Sequence, residues 1–543
     1  MAKVKAVEFS HSVAGGVLLL FLIFLLYNLG GWGVMETSEA RYAEISREML
    51  ESGDWLHPRL LGIQHYHKPP VTYLISAAGM GLFGVNEFGA RFFLQLSFLA
   101  QAGLVYLIGL ELFRDRKPAF SAMLIYLTIP AVLLSARNLT TDSYLATFEL
   151  LSIWGWLRYK SLRRVGWLYL FYAALALAFQ TKGPVGLIFP ALVVLAYRPT
   201  ATVPAKVSRS QRLLVFLFFL VLSASWYVYL MWQDRQFVNY FIINHTVNRY
   251  VSPETFHRAK PWWFYLVLVP ALSLPWSAIL LLQTAQLKAL SRPLRILLLL
   301  WVLVPLVFFS LSSSKLIPYV LPLFAGMALL TGWVLTILPD KALLKAQTGA
   351  FIYYTLLTLS LLAIPWLPLE LALPLPVLLL PVLMLASFFL ISRLQDRQLG
   401  LLATAVLFTL LLIPYSTHLL GANPERFGSM RALVRELHEE KLQQRTILVY
   451  DRLLPSLAFS LRRDIVSIQD QHQSLQRELQ FEKDEEWREH LLRLSHPEDL
   501  GRMRTLLSEP SVLVVKEELP AHRQWLRSNY RYSRRIGEWL IYY

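Results

Sequence analysis

Carboxylates, cations and histidines crowd one polar stretch of an otherwise apolar chain, between Glu36-Thr37-Ser38-Glu39-Ala40-Arg41-Tyr42 and His65-Tyr66-His67-Lys68-Pro69-Pro70. Glu39 or Glu36 supplies a carboxylate able to serve as a general base, and Arg41 a guanidinium able to grip an anion. The plain alternative for Glu39 is a first-turn charge favoured by the helix dipole, worth about 0.3–1 kcal/mol. Ser38 or Thr37 is placed to cap a helix from Glu39 to about Glu51, with Tyr42, Ile45 and Met49 as its apolar stripe. His65 and His67, two residues apart, suit a metal shared from an extended strand or two ordinary loop histidines. Lys68 is held extended by the paired prolines. There it offers an ammonium to a phosphate, or snorkels at a membrane interface.

Three further breaks carry polar groups. Asp142, in Arg137-Asn138-Leu139-Thr140-Thr141-Asp142, stands at the start of an apolar run. An acid at that depth is a functional candidate; as an interfacial helix cap it is ordinary. The loop 233–261 offers His245, Arg249, His257, Arg258 and Lys260 among aromatics. That is an anion and sugar surface, or an aromatic membrane belt. Ser312-Ser313-Ser314-Lys315 leads through Leu316-Ile317-Pro318 to Tyr319, adding a cation and a phenol. No P-loop, dinucleotide glycine pattern or HExxH motif occurs.

The elements that position these groups are membrane spans. The chain has 543 residues, 55% hydrophobic and 16% charged, with a mean hydropathy of +0.46. Soluble domains carry about 25% charged residues, so the composition indicates a polytopic α-helical membrane protein. About thirteen runs are long enough to span, with approximate limits 13–33, 90–113, 118–136, 140–157, 165–181, 184–197, 211–232, 262–283, 295–312, 316–337, 348–367, 371–392 and 398–418. Basic loops such as Arg114 to Lys117, Arg158 to Arg164 and Lys288 to Arg295 fall on the side of Lys3 and Lys5. The positive-inside rule makes that side cytoplasmic. The polar breaks 34–89, 136–141, 233–261 and 312–319 then share the opposite face. The net charge of +16 is spread over short loops, which argues against nucleic-acid binding. The absence of cysteine excludes disulfides and thiolate metal sites.

Composition shifts at Gly421. Residues 421–543 are charged and hold β-like runs at Thr446 to Tyr450, Asp464 to Ile468 and Ser511 to Lys516. The expected organisation is a membrane domain, 1–420, and a soluble α/β domain, 421–543, outside the membrane.

Glu39 to Leu50, Ser52-Gly53-Asp54-Trp55, Pro58, Leu60-Leu61-Gly62, Lys68-Pro69 and Leu82-Phe83-Gly84 resemble the first outer loop of the bacterial aminoarabinose transferases that modify lipid A. These are protein-mannosyltransferase-like GT-C membrane glycosyltransferases. Asp142, Tyr240-Phe241 to His245 to Arg249, His257, Lys315-Leu316 and Tyr319 match later blocks in order. The resemblance implies a GT-C fold and an inverting enzyme on the outer leaflet of the bacterial inner membrane. It would transfer 4-amino-4-deoxy-L-arabinose from undecaprenyl phosphate to lipid A phosphate, as a monomer with no nucleotide cofactor. Arg41, Tyr42, Lys68, Lys315, Tyr319 and Arg249 would bind the donor. Where the family has Asp-Glu-x-Arg-Tyr this chain has Ser38-Glu39-Ala40-Arg41-Tyr42, so Glu36 or Glu39 takes the place of the usual acid, with Asp142 beside it. The family's glutamate before Lys-Pro is His67 here; with His245 or His257 it would hold a divalent metal such as zinc. Transfer to protein hydroxyls or another glycan is the alternative acceptor chemistry. A lipid flippase is the alternative class, but it would show polar residues deep in many spans.

Overall fold

A computed structural model describes residues 10–197, 207–241, 260–471 and 479–543. The chain packs as two units. One joins Met1–Tyr27 to Leu94–Ser416; the other joins Asn28–Phe93 to Thr417–Tyr543. The division differs from a boundary at 420: the first polar loop belongs with the C-terminal part.

The first unit is helical. It begins with α1 (His11–Leu26), which exposes Leu19 and Ile23, as a helix facing hydrocarbon does. The others used below are α2 (Ser38–Ser52) and α3 (Val71–Phe83) of the second unit, then α4 (Glu87–Phe113), α5 (Arg116–Thr128), α6 (Pro130–Ala136), α7 (Thr141–Leu162), α8 (Val165–Lys182) and α9 (Ile188–Ala196). Among the described residues six helices are long and apolar enough to cross a membrane, or eight if two bent pairs each count as one. Shorter apolar helices, such as Leu323–Ile337, make up other expected spans. The run expected as one span at 262–283 is two helices, Phe264–Ala271 and Trp276–Leu282, meeting at 106°. Pro270 and Pro275 lie at the break, where a missing N–H and a fixed φ end a helix. The 32-residue run Val165–Ala196 is helical nearly throughout, yet it turns back at Gly183, whose φ is +77°. A Cβ on Gly186 would lie 2.7 Å from the Ala178 carbonyl, whereas residues eight apart in a straight helix are about 12 Å apart. Lys182 therefore sits in a turn between two legs.

Close helix crossings need small residues. Gly332, on Leu323–Ile337, lies against α5, where a Cβ would meet the Ala122 nitrogen at 2.6 Å. Backbones approach this closely only without a side chain between them.

The second unit is built on a six-stranded sheet. Its strands are β3 (Thr446–Tyr450), β4 (Val466–Gln469), β5 (Leu491–Arg493), β6 (Ser511–Lys516), β7 (Ser533–Ile536) and β8 (Trp539–Tyr542), in the order β5-β4-β3-β6-β8-β7. The four strands β3 to β6 run parallel, and the β7–β8 hairpin adds antiparallel to β6. Parallel strands need crossovers and are covered on both faces. Leu448, Leu513 and Val515 pack on Met503 and Leu507 on one face. On the other, Ile447, Val449, Val512, Val514 and Ile541 pack on Ile45, Met49, Leu60, Leu61 and Tyr73 of the first loop. The loop thus closes the sheet's second face. It also carries a small hairpin, β1 (Arg59–Leu60) and β2 (Ile63–Gln64).

Filling the Gly332 crossing tests this packing. Gly332→Leu is expected to lower the melting temperature of detergent-solubilised protein by several degrees, since overpacking costs about 1–3 kcal/mol. Gly349→Leu, at a position where a Cβ meets nothing within 4 Å, is expected to leave it within about a degree, as uncrowded substitutions usually do.

Candidate functional site

In the second unit, the charged helix α2 is committed to structure on most of its faces. The Glu39 carboxylate accepts from Nε and Nη2 of Arg91 at 2.8 Å each and from the Met35 N–H at 2.9 Å. Arg91 also donates to the carbonyls of Leu29, Trp32 and Gly33 and lies 4.2 Å over the Trp32 ring. Both side chains are almost wholly buried. Glu44 and Asp464 share Arg47 at 2.6 and 3.1 Å. Glu48 accepts from Leu61 N and Gly62 N, closing the β1–β2 turn, where both residues have positive φ.

Glu36 differs. Its Oε1 accepts from the Ser456 N–H at 2.8 Å. Burial pushes its carboxyl up to about 7, opposed by the Ser456 hydrogen bond and the Arg41 charge. Arg41 is half-buried, and its Nε makes no hydrogen bond among the described residues. Tyr42 stacks on Tyr73 at 5.6 Å. The rings of His65 and His67 lie 4.1 Å apart, with His67 and Lys68 half-buried. Among the described residues no three His, Asp or Glu side chains group as metal ligands. His245, Arg249 and His257 lie outside the described residues.

The first unit holds a charged set of its own. Asp142, on the first turn of α7, is 8% exposed and pairs with Lys182 at 2.5 Å. Thr140, not Asp142, takes the cap position. The Lys182 ammonium also lies 4.2 Å from the Tyr319 ring centroid. Lys315 is turned to other work: it donates to the carbonyls of Lys260 and Ser312 at 3.1 and 2.5 Å. Tyr265 clamps the same turn, donating to Leu316 O and accepting from Leu316 N. The geometry therefore joins Asp142 and Tyr319 through Lys182, a residue the motif reading passed over. Its signal was a lysine directly before Gly-Pro, flush between two apolar legs. A lysine or aspartate alone at membrane depth costs about 2.5–3.5 kcal/mol; paired, they form a neutral unit whose cation can be handed to an arriving anion.

The fold defines a class, the polytopic helical membrane proteins. Residues 14–241 match the family described as dolichyl-phosphate-mannose-protein mannosyltransferase. Within that class the likeness narrows. An undecaprenyl phosphate-alpha-4-amino-4-deoxy-L-arabinose arabinosyl transferase 2 of Pseudomonas fluorescens (strain Pf0-1) is 32% identical over 327 residues, 58% of each chain. The corresponding transferase of Pseudomonas aeruginosa (strain LESB58) is 31% identical over 332 residues, 59% of each chain. The matched part is thus somewhat over half of these relatives' length. The fold matches over nearly the whole chain. ArnT from Cupriavidus metallidurans, crystallised bound to undecaprenyl phosphate, superposes with a TM-score of 0.77 at 22% identity, covering 98% of both chains. Its apo crystal structure gives 0.74 at 24% identity and the same coverage. The fold expected from the first loop's resemblance is borne out: it is ArnT-like over nearly the whole chain.

Two outcomes test these assignments. Lys182→Ala leaves a buried carboxylate unpaired and is expected to cost about 3–5 kcal/mol of stability. Lys182→Met with Asp142→Asn, read by the same thermal unfolding, is expected to recover most of that. For Glu36 the folded state holds its proton to higher pH than the unfolded state. Its contribution is therefore full below about pH 4.5 and is lost as pH rises through about 7. The change is about 2 kcal/mol after allowance for its partial exposure. Glu36→Gln should flatten the melting temperature across that window and raise it at pH 8.

Proposed function

We propose that this protein is a GT-C glycosyltransferase that moves 4-amino-4-deoxy-L-arabinose from undecaprenyl phosphate to a lipid A phosphate, with inversion at the anomeric carbon. The observation that carries the reading is the Lys182–Asp142–Tyr319 set, within a fold that matches an undecaprenyl-phosphate-binding transferase end to end. The alternating basic loops support a bacterial inner-membrane location, with the N-terminus cytoplasmic and the C-terminal unit periplasmic.

In this mechanism the donor phosphate takes the Lys182 ammonium. The cation neutralises the phosphate as the glycosidic C–O bond opens, which is transition-state stabilisation of a leaving group. Asp142, released from its partner, orients the acceptor or steadies positive charge on the sugar ring. A lipid A phosphate is ionised at neutral pH and attacks with little help from a base, whereas a hydroxyl acceptor must lose its proton. This accommodates a loop in which Glu39 is tied to Arg91 and Ser38 stands where the resemblance implies an acid. Arg41 is assigned to an anionic oxygen because its buried Nε makes no hydrogen bond among the described residues. A divalent metal would take the His67 imidazole as one ligand; His245 and His257 lie outside the described residues.

Mass spectrometry of lipid A decides the reading, in a polymyxin-sensitive strain lacking its own transferase. Expression of this chain is expected to add aminoarabinose. Lys182→Ala, checked for correct insertion, should lower the product by roughly a hundredfold or more, the scale of losing one charge-stabilising donor. Unmodified lipid A with correctly inserted wild-type protein would move the acceptor to protein or another glycan.

A further inference from the structure

One ionisable group of the first unit has no place in the mechanism above. Glu149 lies on α7 seven residues after Asp142, two turns along the same face and about 10 Å further down the helix. It is 1% exposed, and both carboxylate oxygens are buried without a hydrogen bond among the described residues. The charges whose fields reach it are Lys182 and Asp142. Lys182 is occupied, held by Asp142 at 2.5 Å. The nearby Tyr126 phenol is occupied as well, donating to Gln101 Oε1 at 2.6 Å. Protonating Glu149 would remove its charge and still leave a buried hydroxyl without an acceptor. Buried polar groups in folded proteins are nearly always satisfied, and an exception asks for a partner supplied from elsewhere. Inside a membrane protein such a group marks a substrate path more often than a packing site.

The donor named above is a zwitterion: a phosphodiester anion and a primary ammonium held apart by one pentose ring. Lys182 and Glu149 offer the complementary pattern, a cation and, deeper along α7, a carboxylate lacking its partner. We propose that Glu149 receives the ammonium of the donor's amino sugar and sets the enzyme's preference for an amino over a neutral pentose. Lys182 then meets the phosphate and Glu149 the amine, and Asp142 is left free for the acceptor. The inference rests on the proposed aminoarabinose reading.

The test uses full-length purified protein with two donors, undecaprenyl phosphate carrying the 4-amino pentose or its 4-hydroxy counterpart. Wild type is expected to favour the amino donor in kcat/KM by roughly tenfold to a hundredfold, the scale of a hydrogen bond to a charged group. Glu149→Gln should collapse that ratio toward one, chiefly through KM for the amino donor. Glu149→Met, apolar and of similar size, should do the same if the glutamine variant fails to fold. An unchanged ratio, or an equal fall with both donors, overturns the inference and leaves the proposed function standing. Wild-type protein that transfers neither pentose overturns the proposed function itself, and the inference with it.

Discussion

The Arg91 guanidinium holds the second unit's first segment in place. It lies wholly inside the protein and directs its donors at the Glu39 carboxylate and the carbonyls of Leu29, Trp32 and Gly33. Those carbonyls belong to chain between helices and lack a ladder of their own. A buried backbone acceptor left unmet is costly, so Arg91, with Arg431 on the carbonyls of Gly30 and Gly31, fixes the segment that leads into α2. A bidentate pair of this kind also fixes angle, since two parallel hydrogen bonds leave the planar fork little rotational freedom. Everything α2 contributes depends on that anchoring: Arg41 near Glu36, Glu48 under the β1–β2 turn, and the stripe that covers the sheet.

The first unit solves a related problem differently. Asp142 and Lys182 come from separate helices and neutralise one another where a lone charge is expensive. Unlike Arg91, Lys182 is a compact ammonium with rotatable donors, held by one carboxylate and one aromatic face. A point charge on a flexible stem exchanges partners more readily than a planar fork does. The contrast separates the two ion pairs: one frames a loop, and the other fits the anion-binding role proposed for it.

Much of the fold was legible as apolar length. The runs 90–113, 295–312 and 398–418 each find a helix within a few residues, because continuous hydrophobicity over a bilayer's thickness has few other meanings. The strands at Thr446–Tyr450 and Ser511–Lys516 appear where the β-branched runs placed them. β7 was not legible: Ser-Arg-Arg-Ile has no apolar alternation and lies at a sheet edge. Nor was the covering of the sheet by the first loop, since alternation shows that a strand has a buried face without saying what lies on it. Of the candidate site, Asp142 and Tyr319 were visible as polar breaks, but their connection through Lys182 needs the reversal at Gly183. Glu39 looked like an available base by position alone; only the fold brings Arg91 to it, 52 residues away. Glu149 stayed hidden because one acid in a long apolar run leaves the span reading unchanged.

The second unit is discontinuous: Asn28–Phe93 is made early, and Thr417–Tyr543 follows only after the whole of Leu94–Ser416. At about 5–20 residues per second, the stripe of Ile45, Met49, Leu60 and Leu61 waits tens of seconds for the strands that bury it. β8, whose Trp539 and Ile541 join the same cluster, is the last strand among the described residues. Completion of this unit therefore reports that every intervening helix has been synthesised. A chain broken anywhere between the two segments keeps an apolar loop uncovered, a mark by which quality control can recognise an unfinished molecule without inspecting its membrane helices.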